Sequence, residues 1–271
     1  DADGKQQWSK FYSPADFGAQ AAAQSVIATK DSSYAVVGYR TVTAAKRDIL
    51  LFKTDGYGNI LWSKSFGGTR EDQGLGLVEM PNGDLVVCGY QSVSDSEEAL
   101  FVARTDKKGN LIWVKSYNPA QHIKRGNSVA LAPNGDLVVV GYMQTTLASN
   151  NKDVYVTRIN AANGDMIWDK TFDIAGKDDF GRAAVISNDG NIVIAGEAAA
   201  DGKAGGLLFK RDGTGTNNNP IWNEAIPKTT FYGLTQATDG GYFITGRQTI
   251  NDNFEDLYIG RFTSEGSNIW S

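Results

Sequence analysis

Apolar residues along this chain gather in short runs that return in phase roughly every fifty residues. The second unit shows the pattern most plainly. Gly76-Leu77-Val78-Glu79-Met80 predicts a first strand, and Asn82-Gly83 is a turn of the kind that closes a tight hairpin. Residues 85–90, 100–104 and 111–117 predict three more strands, with Lys107-Lys108-Gly109-Asn110 turning the chain before the last. The second and third runs are apolar almost without interruption, as in Val138-Val139-Val140 and Ile49-Leu50-Leu51-Phe52. A strand with one wet face alternates, so these strands are expected to be covered on both faces. Sheets stacked face to face around an axis give that cover. No stretch carries helical spacing, which sets aside a helical solenoid of similar period.

Three markers run in register with the strands. Trp8, Trp62, Trp113, Trp168, Trp222 and Trp270 are separated by 54, 51, 55, 54 and 48 residues, and the first four are each followed two residues on by lysine. Gly38, Gly89, Gly141, Gly196 and Gly246 each end an apolar run, and Lys53, Arg104, Arg158, Lys210 and Arg261 repeat on the third strand. The reading is an all-β, five-bladed β-propeller of four-stranded antiparallel blades, in one domain over residues 1–271. Its repeats are approximately 13–66, 67–117, 118–172, 173–226 and 227–271. A sixth Trp-bearing strand leaves six blades as the alternative. Residues 5–12 are expected to close the ring on the last blade, beside or in place of residues 268–270, because closure removes exposed sheet edges.

Composition changes this picture little. The apolar share of 41%, the charged share of 21% and a net charge of −5 describe a globular chain with nothing to draw it to nucleic acid. No apolar run approaches the ~20 residues that span a bilayer. The chain opens with polar Asp1-Ala2-Asp3-Gly4 rather than a leader, which fits a cytosolic protein or a mature exported one. Cys88, the sole cysteine, sits in an apolar run and reads as a small core residue without a disulfide partner.

Residues 59–68, then Asp72-Gln73-Gly74, then residues 81–90 resemble the repeat of secreted and surface-anchored bacterial propellers, frequent in the Bacteroidetes and often described as quinoprotein-like. The resemblance covers nearly the whole chain. It implies the propeller fold and an exported, periplasmic or cell-surface location, with a lipid anchor upstream as one option. It implies little about function. The sequence departs from the pattern where Gly67-Gly68 becomes Asn118-Pro119 and then Asp173-Ile174, and where the aspartate kept at Asp72 and Asp179 becomes Lys124.

Candidate chemistry is sparse. The tryptophans share one repeat position, as packing residues do, although a flat ring also stacks on sugar. The repeated Lys/Arg, set against acids such as Asp48, Asp153 or Asp256, reads as structural ion pairing. His122 lies in a linker and has no second histidine to share a metal site. The turns Asp1-Ala2-Asp3-Gly4 and Asp212-Gly213-Thr214-Gly215 hint at calcium without a full binding loop, and no other cofactor is indicated.

The linkers between blades differ from unit to unit, and loops on a rigid scaffold are where binding resides. They mark Asp16, Phe17, Asp72, Lys124, Arg125, Asp179, Phe180, Phe231 and Tyr232 as candidate ligand-binding residues. The leading expectation is a non-catalytic recognition module binding a glycan or a protein at one mouth of the propeller. A glycosidase using Asp16, Asp72 and Asp179 is the first rival. A quinone-dependent redox protein is the second; that class uses more blades and a vicinal cysteine pair.

Overall fold

The structure, a computed structural model, describes residues 3–18, 20–43, 46–117, 123–144, 151–174, 176–200, 203–251 and 254–271. His122, Asn118-Pro119 and Asp1-Ala2 lie outside the described residues. Five four-stranded antiparallel units follow one another. Blade 1 holds β1 (Ala21–Ala28), β2 (Tyr34–Thr43), β3 (Lys46–Thr54) and β4 (Ile60–Phe66). Blade 2 holds β5 (Asp72–Glu79), β6 (Leu85–Ser92), β7 (Glu98–Thr105) and β8 (Leu111–Tyr117). Blade 3 holds β9 (Ile123–Leu131), β10 (Leu137–Gln144), β11 (Lys152–Ile159) and β12 (Met166–Phe172). Blade 4 holds β13 (Asp179–Ile186), β14 (Ile192–Ala200), β15 (Lys203–Arg211) and β16 (Trp222–Pro227). Blade 5 holds β17 (Thr229–Gln236), β18 (Tyr242–Asn251), β19 (Phe254–Phe262) and β20 (Asn268–Trp270). Blades 2 and 3 also touch through one parallel bridge, Glu98 to Ile123.

Each first strand bulges opposite the second-strand glycine. The register slips across Ala23/Ser25, Gly74/Gly76, Val140/Gly141, Gly181/Ala183 and Phe231/Gly233. A bulge inserts one extra residue, kinks the strand and re-aims a side chain. Here it drives a carbonyl into the neighbouring strand. A Cβ on Gly89, Gly141 or Gly196 would lie 1.9 Å from the carbonyl oxygen of Gln73, Arg125 or Phe180. The glycine marker is therefore a steric requirement.

Residues three and one before that glycine face the next blade, and residues four and two before it face the previous one. Val86 and Cys88 join Val129, Leu137 and Val139 between blades 2 and 3, while Leu85 and Val87 join Val37 and Leu51 between blades 1 and 2. Equivalent clusters sit between blades 3 and 4 and between blades 4 and 5. Burial on both faces is why β6 and β10 carry no alternation.

One interface inverts its volumes. The glycine of the first strand sits against a branched residue of the preceding blade: Gly74 against Ile49, Gly126 against Leu100 and Gly181 against Val154. At the last interface Phe231 takes the glycine's place, and the preceding blade answers with Gly206, whose Cβ would lie 2.6 Å from the Phe231 ring. Phe231 is fully buried there.

The tryptophans reach across blades. The rings of Trp62, Trp113, Trp168 and Trp222 lie on Gly109, Gly164, Gly215 and Gly266 in the outer turn of the next blade. Trp113 Nε1 also donates to the Ala161 carbonyl at 3.0 Å. Trp8 makes the same contact on Gly58 of blade 1, its Nε1 donating to the Gly56 carbonyl at 2.9 Å. Residues 5–12 form no strand and pair with no strand of blade 5. The segment expected to close the ring instead lies along blade 1, where Lys10 Nζ donates to Asn59 and Tyr12 to the Gly58 carbonyl. The short helix α1 (Pro14–Phe17) follows and buries Phe17 against Leu50 and Phe52. Among the described residues no apolar cluster joins blade 5 to blade 1, and Phe243, Leu257, Ile259 and Trp270 remain exposed.

The repeated third-strand bases pair with acids of the first hairpin turn, not with Asp48, Asp153 or Asp256. The pairs are Lys53–Asp31, Arg104–Asp84, Arg158–Asp136, Lys210–Asp189 and Arg261–Asp239. Arg104 and Arg158 also donate to the Ala161 and Gly213 carbonyls of the following blade. The bond from Lys53 holds the Asp31 carboxyl down to about 2.

Two outcomes follow from this packing. Gly206→Leu should overpack the last interface and cost about 3 kcal/mol, and Phe231→Gly should leave a cavity costing about 4 kcal/mol. The double variant removes the ring from this contact, while Thr229 Oγ1 still crowds the Gly206 Cβ at 2.2 Å, so denaturant titration should show a favourable but partial coupling of about 1 kcal/mol; strict additivity would refute complementarity. Asp31 has a folded pKa below its unfolded value, so its stabilisation is present above the ordinary carboxylate range and lost as pH falls toward 2. Asp31→Asn should flatten the acid limb of the melting curve between pH 4 and 2, and an unaltered limb would count against the pairing.

Candidate functional site

The linkers and the β2–β3-type turns share one end of the blades, and their side chains interlock there. Arg47 lies over Tyr39, 4.6 Å from the ring centre, and pairs with Glu71 at 3.2 Å. Glu71 also accepts from the Tyr90 hydroxyl at 3.0 Å. Arg125 stacks on Tyr90, 3.8 Å from its centre, and grips Glu98 with two nitrogens. Tyr142 meets Phe180 edge-on at 4.9 Å. Arg182 pairs with Glu197 and stands 5.2 Å from the Tyr232 ring. Arg247 flanks the same ring at 6.0 Å and pairs with Glu255 at 2.7 Å. One belt of arginine, aromatic ring and glutamate thus crosses all five blades.

The bulge accounts for part of it. Arg182 and Tyr232 are the inserted residues of their strands, which turns them off the core face. Tyr39, Tyr90, Tyr142, Glu197 and Arg247 all directly follow the second-strand glycine. That position was the signal that would have found the belt from sequence.

Of the candidate residues, Arg125, Phe180 and Tyr232 belong to this belt. The others do not. Asp16 caps α1, accepting from the backbone N–H of Ser13 at 2.6 Å. Phe17 and Phe231 are core. Asp72, Lys124 and Asp179 occupy one repeat position on the first strand but are buried, which keeps them from a glycan or protein docked at the mouth. Asp72 accepts from the Gly68 N–H at 2.6 Å, and Asp179 from the Ile174 N–H at 2.6 Å. Lys124 donates to the Tyr155 hydroxyl at 3.0 Å and lies 3.6 Å from Asp169; burial pulls its pKa down. Burial, with Asp48 adding to it, pushes the Asp72 carboxyl up. Asp16, Asp72 and Asp179 therefore do not form an accessible set of carboxylates for glycoside cleavage.

Beside Glu71 a cavity of about 450 Å³ opens between residues 69–71 and Ser92, Ser94 and Asp95, with an Arg70–Asp95 pair in its wall. The Asp212 turn is satisfied from within, its carboxylate accepting from Thr214, Thr216 and Asn217.

Solved structures share this fold. A polysaccharide lyase, the PL25 ulvan lyase bound to -[GlcA(1-4)Rha3S]-, superposes with a TM-score of 0.62 at 11% identity, over 89% of this chain and 64% of that one. The endo-arabinase from Bacteroides thetaiotaomicron VPI-5482 gives 0.51 at 12% identity, over 89% and 94%. A hypothetical protein from Leishmania major gives 0.50 at 11% identity, over 92% and 87%. The chain is a β-propeller by structure. No family model and no curated protein matches its sequence. No helix among the described residues is long and apolar enough to cross a membrane.

Asp72→Asn keeps the shape and an acceptor for Gly68 while removing a buried charge beside Asp48. At neutral pH it should melt no lower than the parent. Because the Asp72 pKa is raised, the gap between the two should open as pH rises through the acid range and close in strong acid. A large loss of stability at neutral pH would show that the charge itself is required.

Proposed function

We propose that the protein is a non-catalytic recognition module of an exported protein, and that its linker-side mouth binds a glycan. The observation that carries this reading is Tyr232. Its ring is 47% exposed, while Tyr90 in the same belt is 3% exposed. Arg182 and Arg247 flank it, and each guanidinium is held by its own glutamate. A fixed aromatic face with fixed donors at its sides suits the apolar face and hydroxyls of a sugar ring, and little side-chain entropy remains to be lost on binding. Four arginines matched by four glutamates leave the belt near neutrality, which favours a glycan of low charge density over a polyanion. The same fold carries glycan chemistry in the ulvan lyase and the endo-arabinase.

A glycan array probed with the purified chain, followed by calorimetry on the best ligand, tests this. Tyr232→Ala should fold normally and weaken binding at least tenfold, equivalent to about 1.4 kcal/mol. Binding that survives Tyr232→Ala would move the site away from the belt. Binding to protein and to no glycan would replace the glycan reading with a protein-recognition one.

A further inference from the structure

One departure from the repeat is unused by the belt. Where the first linker has Gly67-Gly68, the third has Asp173-Ile174. The two sites are equivalent in structure, since the Gly68 N–H binds Asp72 and the Ile174 N–H binds Asp179, both at 2.6 Å. A Cβ on Gly67 would lie 2.3 Å from Asp48 Oδ1, so this linker position faces the third-strand acid. At the third junction the linker supplies a carboxylate. Asp153, Asp173 and Asp179 each place an oxygen within 4.8 Å of the others.

Asp153 gives an independent observation. It is 8% exposed, and its Oδ1 is buried without a hydrogen-bond partner among the described residues. Its chain neighbour Lys152 does not serve it, pairing instead with Asp178 at 3.4 Å. The other junctions balance this position differently. Asp48 has Lys46 at 3.2 Å, and opposite Lys124 the third-strand residue is Ala99. Burial and the nearby Asp173 raise the Asp153 pKa, as expected of a carboxylate lacking a counter-charge.

We propose that Asp153, Asp173 and Asp179 form a binding site for a hard divalent cation, Ca²⁺ in preference to Mg²⁺. Three oxygens no more than 4.8 Å apart share a centre at most about 2.8 Å from each (4.8/√3). That bound admits the ~2.3–2.6 Å of Ca²⁺–oxygen bonds, and three protein carboxylates exceed the one or two that usually hold Mg²⁺. The set is oxygen only, which suits calcium rather than zinc or copper. Bound there, the ion would tie the linker before β13 to the start of β11.

The test is calorimetry and thermal melting of the chelator-stripped protein with Ca²⁺ and with Mg²⁺. One Ca²⁺ per chain should bind and raise the melting temperature, with Mg²⁺ giving a smaller shift at equal concentration. Asp173 is exposed, so Asp173→Asn should fold as the parent does and lose at least tenfold in Ca²⁺ affinity. Asp153→Asn should melt higher than the parent without metal and lose the calcium response. No binding at about 5 mM Ca²⁺, beyond the weak extracellular range, would overturn the proposal. So would an undiminished Ca²⁺ affinity in either variant.

Discussion

The structure depends on a collision avoided five times. The first strand of each blade carries a bulge, and the bulge pushes one carbonyl to within about 2 Å of where a Cβ on the second strand would stand. Only glycine leaves room. Once it is there, the strand kinks, and in blades 4 and 5 the inserted residue, Arg182 or Tyr232, turns toward the mouth. Core packing and belt geometry are two consequences of the same local distortion. Positions three and one before the glycine, and four and two before it, sort to opposite faces by the two-residue period of the second strand.

Around that constraint the interfaces conserve volume rather than residue type. Ile49, Leu100 and Val154 fill the space above a first-strand glycine, whereas Gly206 yields space to Phe231. Interiors pack as densely as organic crystals, so a ring gained on one side must be matched by a side chain lost on the other. From sequence, Phe231 suggests a ligand-facing aromatic because it lies in a variable linker. Its partner lies 25 residues earlier, on a different blade, and one sequence read alone does not connect the two.

The fold was legible because its markers answer to backbone sterics and to contacts that every blade repeats. The second-strand glycine, the tryptophan over the next blade's turn glycine, and the third-strand base all recur for that reason. The site was less so. Charge in an irregular linker suggests accessible charge, yet Asp72, Lys124 and Asp179 sit at the first residues of inner strands, beneath the rim. Period tells which face a residue takes; it does not tell how deep along the strand the rim begins. The bulge adds a residue and flips the alternation, which brings Arg182 and Tyr232 to the mouth and sends Phe231, one position away, into the core. The bases misled in a smaller way. Asp48, Asp153 and Asp256 stand near them on the same strand, but alternation and distance carry those acids to the opposite end, and the hairpin-turn aspartates lie closer.

The two end blades show how specific the interface is. Trp8 covers the Gly58 turn of blade 1 as Trp62 covers the Gly109 turn of blade 2, although residues 5–12 have no ladder to hold them. One indole over a turn glycine, one indole N–H to a carbonyl and the packing of Phe17 on Leu50 and Phe52 therefore suffice to cover a blade face without a strand. The forward face of blade 5 presents the same positions uncovered: Phe243 and Ile259 stand where Val193 and Leu208 are buried in blade 4. The contrast separates two contributions that are merged inside the stack. Strand pairing builds a blade, and side-chain complementarity across its faces decides whether that blade is buried.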